Sequence, residues 1–108
     1  MDDDGRPVRA RLAAGSPQAQ VLTPLALVMG SRAGLSVEQI DDLSLALELI
    51  VRGAPAERWA HLRAGDGEIE ITLSTVDPAW LDERRSMLEV LVGELTADDG
   101  GVQLRVSA

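Results

Sequence analysis

Few side chains in this chain could carry chemistry, and their types limit what that chemistry could be. His61 is the only histidine and cysteine is absent, so a thiol nucleophile, a thiolate metal site and a disulfide are all excluded. Every basic residue is arginine, which removes a Schiff-base lysine and a phosphate-loop lysine from consideration. No serine has a recognisable histidine and carboxylate arrangement, so nucleophilic catalysis has no support. His61, two residues from Trp59, reads as a structural or exposed histidine on a short strand. The acidic clusters Asp2-Asp3-Asp4 and Asp98-Asp99 could hold Ca²⁺ weakly. They lack the alternating ligand spacing of a calcium loop, and solvated acidic segments are the commoner meaning of such runs.

The elements around these residues decide what any of them could do. The chain has 108 residues, 45% of them hydrophobic and 26% charged, which fits one globular domain with a single two-layer core. The core must be aliphatic, because Trp59 and Trp80 are the only aromatic residues. The most clearly marked element is Ser36 to Gly53. Ser36 and Gln39 have capping-box spacing. Asp41 and Asp42 favour the positive end of the helix, Arg52 falls in its last turn, Gly53 suits the position after it, and Pro55 forbids continuation. Ile40, Leu43, Leu45, Ala46, Leu47, Leu49, Ile50 and Val51 supply more apolar surface than one stripe needs. The second half of this helix is therefore expected to be buried almost all round.

Met1 to Gly5 reads as a frayed acidic tail. Val8, Ala10 and Leu12 alternate with Arg9 and Arg11, as in a half-exposed strand. Ala14-Gly15 is a turn signal. A helix capped at Ser16-Pro17 either kinks at Pro24 or restarts with Thr23 as cap and Pro24 in first position, and it ends by Gly30 and Gly34. Trp59 to Arg63 reads as a short strand, Asp66-Gly67 as a tight turn, and Glu68 to Thr75 as the clearest alternating strand. Asp77-Pro78 starts a third helix through Leu81, Leu88, Leu91, Val92 and Leu95, with Asp82, Glu83, Arg84, Arg85 and Glu89 on its far side. Val102, Leu104 and Val106 form a last strand. The expected order is strand, helix, helix, two strands, helix, strand. That is an α/β (α+β) two-layer sandwich with helices on one face of a mixed, mostly antiparallel sheet.

Ala33-Gly34-Leu35-Ser36 followed by Ile40-Asp41-Asp42-Leu43-Ser44-Leu45-Ala46-Leu47 resembles a run found in the ATP-binding domain of bacterial anti-sigma factors. These are the serine-kinase branch of the histidine-kinase-like (GHKL) ATPases, and the order of elements agrees over nearly the whole chain. The resemblance implies a Bergerat-type fold and three nucleotide motifs, each altered here. The family's helix carries a catalytic Glu and, four residues on, a Mg²⁺-holding Asn; the matching positions are Leu49 and Gly53. Glu48 is one residue away, about 100° around the helix, and cannot simply substitute. The family's Asp-x-Gly-x-Gly is matched by Asp77-Pro78-Ala79-Trp80, which keeps the Asp and loses both glycines. The glycine-rich lid is missing, because Asp77-Pro78 leads straight into the third helix. The resemblance therefore implies a degenerate member with no ATP, metal or other cofactor. In the other register, Glu48 and Asp77 keep a weak pocket.

A degenerate member of that family would be a non-enzymatic interaction protein regulating transcription, with a sigma factor, an anti-sigma antagonist or a second copy of itself as partner. By resemblance, the surfaces to consider are Val8 to Leu12, with Arg9 and Arg11, and the helix carrying Leu25, Val28 and Arg32. Trp80 is either a core anchor or an interface residue. The alternative is a residual ATP-binding serine kinase or nucleotide sensor, and a domain cut from a larger regulatory protein is a third option. The net charge of −8 suits a basic partner surface and argues against nucleic acid. No apolar run approaches the ~20 residues of a membrane span, so a cytoplasmic location is expected.

Overall fold

A computed structural model describes residues 7–12, 21–53, 58–65, 67–98 and 100–108. The expected acidic tail, the signals at Ala14-Gly15 and Ser16-Pro17, Pro55, Asp66 and Asp99 lie outside them. The described elements run β1 (Pro7–Leu12), α1 (Leu22–Arg32), α2 (Val37–Gly53), β2 (Arg58–Gly65), β3 (Glu68–Leu73), α3 (Pro78–Val92), β4 (Glu94–Asp98) and β5 (Gly101–Ser107). This is an α+β arrangement of three helices and one sheet, ordered β1-β2-β3-β5-β4. No helix among the described residues is long and apolar enough to cross a membrane.

One face of the sheet is dry. Ala60 and Leu62 of β2, Ile69, Ile71 and Leu73 of β3, Leu95 of β4, and Val102, Leu104 and Val106 of β5 are buried and join the helical layer in one core. The other face carries Trp59, His61, Arg63, Glu70, Thr72, Gln103 and Arg105, half-buried or exposed. Alternation with period two produces this division, and the helices lie on the dry side.

The sheet differs from expectation in two linked ways. It is antiparallel at every pairing, not mixed, and it contains β4, which the spacing of Leu95 assigns to the third helix. That helix stops at Val92 because Gly93 adopts φ 89° and ψ −58°, a conformation open to glycine and costly for other residues. Leu95 then enters β4, opposite Leu104. The α3 crossover joins β3 to β4, which run parallel but are not neighbours. β5 returns through a hairpin, with Gly100 at φ 74°, and fills the gap between them antiparallel to both. No two neighbouring strands are left parallel.

The helix ends are set by local hydrogen bonds. At the end of α1 the Leu35 amide donates to the Gly30 carbonyl at 3.0 Å and the Gly34 amide to the Ser31 carbonyl at 3.1 Å. With Gly34 at φ 95°, this is a Schellman motif. Pro24 falls in the first turn of a helix starting at Leu22, where an amide has no intrahelical acceptor to lose. The described helix begins one residue before the expected cap at Thr23, and Pro24 does not break it. The capping box forms as expected: the Gln39 amide donates to Ser36 Oγ at 3.1 Å, and the Ser36 amide to Gln39 Oε1 at 2.9 Å. Gln39 Nε2 also donates to the Ser107 carbonyl at 2.6 Å, tying this helix start to the end of β5. Ser36→Ala is expected to cost about 0.5–2 kcal/mol, read as a lower urea midpoint with an unchanged slope.

α2 is not buried all round. Leu43, Ala46, Leu47 and Ile50 are fully buried, whereas Leu45 is 51% exposed and Leu49 and Val51 are half-buried. In a two-layer molecule a helix is covered by the sheet below and by one helix on each side. Its outer surface stays in solvent, whatever its residues are.

Candidate functional site

The positions singled out by sequence meet where the end of α2 faces the start of α3. Gly53 closes α2 with negative φ, so its backbone would accept any side chain. Space would not: a Cβ there would lie 2.7 Å from Trp80 Cζ2 and 3.0 Å from Trp80 Nε1. The Nε1–Cζ2 edge of the indole can approach the helix end this closely because that residue has no side chain. One turn earlier, Leu49 is half-buried against the core, and so is Trp80.

Trp80 is held from both sides. The Arg84 guanidinium lies 4.7 Å from its ring centroid, a cation–π distance, while Arg84 Nη1 donates to the Trp80 carbonyl at 3.2 Å. Asp77 caps α3: its Oδ2 accepts from the Trp80 amide at 3.4 Å, and Pro78 takes the first helical position. Trp80 is thus a partly buried anchor and not a fully buried core residue. β3 and α3 are joined by residues 74–77 alone. Within that connection Thr75 has φ 57°, an unfavourable conformation for a β-branched residue. Thr75→Gly is expected to raise stability by about 1 kcal/mol through relief of that strain, seen as a higher thermal midpoint.

Glu48 does not face this site. It sits on the exposed side of α2, its Oε1 3.6 Å from Arg52 Nη2 one turn on. Asp77 is exposed and occupied as a cap. His61 is half-buried on the outer face of β2. Among the described residues no three His, Asp or Glu side chains are grouped to hold a metal ion.

The expected partner residues do not form one patch. Arg9 and Arg11 pair through their backbones with His61 and Trp59. Leu25 packs partly against the core, Val28 is 53% exposed, and Arg32 is exposed in the last turn of α1. α1 rests on α2, β2 and β3, whereas α3 rests on α2, β4 and β5. α2 therefore separates Leu25, Val28 and Arg32 from Trp80.

Two arginines escape a reading of the sequence. Arg58 is 3% exposed on the core face of β2, and burial lowers its pKa from the ordinary arginine value. Its alternation with Ala60 and Leu62 was the available signal. Arg105 lies opposite both Glu70 of β3 and Glu94 of β4. Its Nη2 is 2.7 Å from Glu70 Oε2 and its Nη1 3.6 Å from Glu94 Oε1, with Glu68 at 3.9 Å. The hydrogen bond to Glu70, then the charges of Glu70, Glu68 and Glu94, raise its pKa. These are cross-strand ties over three strands, and their long sequence separation hid them. No protein-family model matches the chain, and a search of the curated proteins returns no match.

Proposed function

We infer that this chain is a non-catalytic protein-interaction module. In this reading it is a degenerate relative of the anti-sigma-factor branch of the GHKL ATPases, with that Bergerat-type fold minus its lid. It acts by binding a sigma factor, an anti-sigma antagonist or its own copy, and it does not bind ATP. The observation that supports this most is the seat of Trp80 on Gly53. The resemblance gives that position to the Mg²⁺-holding Asn, and here a Cβ alone would come within 2.7 Å of the indole. Mg²⁺ requires oxygen ligands and phosphates require exposed amides or cations. The half-buried Leu49 offers no oxygen ligand, and the one carboxylate of the short connection at 74–77, Asp77, is engaged as the cap of α3.

Isothermal titration with a non-hydrolysable ATP analogue and Mg²⁺ tests the absence of nucleotide binding. No saturable heat is expected at millimolar analogue. Micromolar binding that disappears in Asp77→Ala would overturn the reading in favour of a residual kinase or nucleotide sensor. The partner side is tested by affinity capture from the host together with analytical ultracentrifugation. The reading expects a captured sigma factor or antagonist, or a dimer at micromolar concentration, and neither appearing would remove its support.

A further inference from the structure

The α2–α3 seam carries apolar surface beyond Trp80. Gly53 touches Trp80, so the end of α2 meets the start of α3, and the two helices pack along each other. Counting back from Gly53 by helical turns gives Leu49 and Leu45 on the α2 side. Counting forward from Trp80 gives Arg84, Met87 and Leu91 on the α3 side. The lower members of these rows, Leu49, Leu91 and Trp80, rest partly on the core. The upper members stand in solvent: Leu45 is 51% exposed, Met87 46% and Val90, beside Met87 on the outer surface of α3, 83%. Leu and Met side chains in a shallow furrow between two helices suit the apolar stripe of a third helix, and methionine adapts to its shape.

The surrounding charge indicates which helix. Glu38, Asp41, Asp42 and Glu48 lie along α2, and Glu83 lies beside Arg84 on α3; Asp82 and Glu89 fall on the flank of α3 that faces β4. Arg52 pairs with Glu48, and Arg84 with Trp80 and Glu83, so the excess negative charge beside the furrow is that of Glu38, Asp41 and Asp42 on α2. A second copy of this chain would bring its own net charge of −8 against these carboxylates, and like charges across an interface disfavour that occupant. We propose that the furrow between α2 and α3, centred on Leu45 and Met87, is a docking site for a basic amphipathic helix of another protein. The helix lays its apolar stripe on Leu45, Met87 and Val90 and its Lys and Arg side chains beside Glu38, Asp41 and Asp42 of α2. This rests on the reading of the chain as an interaction module and names the surface and the partner chemistry.

The probe is a fluorescein-labelled basic amphipathic peptide of Leu, Lys and Arg about 18 residues long, read by anisotropy against the full chain. Its scrambled isomer has the same charge and no apolar stripe. Saturable binding is expected for the probe and about tenfold weaker binding for the isomer. Leu45→Asp and Met87→Asp, both at exposed positions, are each expected to weaken binding about tenfold or more. Trp59→Ala, which removes a 55% exposed side chain from the opposite face of the sheet, leaves it unchanged. The double variant Asp41→Arg/Glu83→Arg weakens binding without touching the apolar residues, and its loss shrinks at high salt. Absence of binding, equal binding of the isomer, or full affinity in Leu45→Asp and Met87→Asp would overturn the proposal. Those results would leave the module reading standing as long as the ATP analogue stays silent, whereas analogue binding removes that reading itself.

Discussion

Leu47→Ala is expected to cost about 2–5 kcal/mol of folding stability, the range for removing a fully buried leucine. Leu47 has no exposed surface and belongs to the face of α2 that meets the sheet, with Leu43, Ala46 and Ile50. A domain of this size has about 5–15 kcal/mol in total, so the variant gives up a large share of it. The thermal midpoint falls by roughly 4–8 °C per kcal/mol in domains near this length, and differential scanning calorimetry would record the drop. Leu45→Ala, two residues earlier on the same helix, is expected to stay within about 0.5 kcal/mol of the parent, because its side chain is half in solvent. A large loss for Leu45→Ala would mean that α2 is covered on its outer side as well.

The second expectation concerns Gly53 and has an unusual sign. Glycine inside or at the end of a helix is ordinarily a weak residue, and alanine improves it by up to about 1 kcal/mol. Here Gly53→Asn is expected to destabilise by about 1–3 kcal/mol, the range for forcing a side chain into filled space. Its Cβ would meet the Trp80 indole at 2.7 Å, and the ring atoms Nε1 and Cε2 at 3.0 and 3.1 Å. Trp80→Ala alone removes that ring and its stacking with Arg84 and is also destabilising. The double variant should be more stable than the sum of the two losses predicts, because the clash needs both partners. A coupling of about 0.5–3 kcal/mol in a double-mutant cycle from urea unfolding measures this. Additive losses would mean that Trp80 does not occupy the space above Gly53. The Gly53→Asn/Trp80→Ala protein also places an Asn where the proposed resemblance expects one, so an ATP-analogue titration on it asks whether that substitution suffices for binding.

Several features are set by residues close together in the chain. Ser36 and Gln39 are three residues apart, and their reciprocal hydrogen bonds form within one turn of helix. The same holds for Asp77 and Trp80 and for Gly34, whose positive φ ends α1. The strict alternation of Glu68 to Leu73 determined which side of β3 is dry. Such features depend on interactions spanning a few residues, so spacing and residue type are enough to read them. The end of α3 departs from expectation for a related reason: Leu95 continues a helical interval, and only the backbone of Gly93 turns it into a strand.

What lay beyond the sequence was which distant surfaces come together. The return of β5 between β3 and β4 makes the sheet wholly antiparallel and brings Arg105 between Glu70 and Glu94. The sheet and the flanking helices decided that Leu47 is covered while Leu45 is not, though both are leucines on one helix. Only the approach of α3 to α2 put an indole on Gly53. Local hydrogen bonds and periodicity specify the elements of this protein, and chain-distant packing, set by how two layers enclose one aliphatic core, specifies the site.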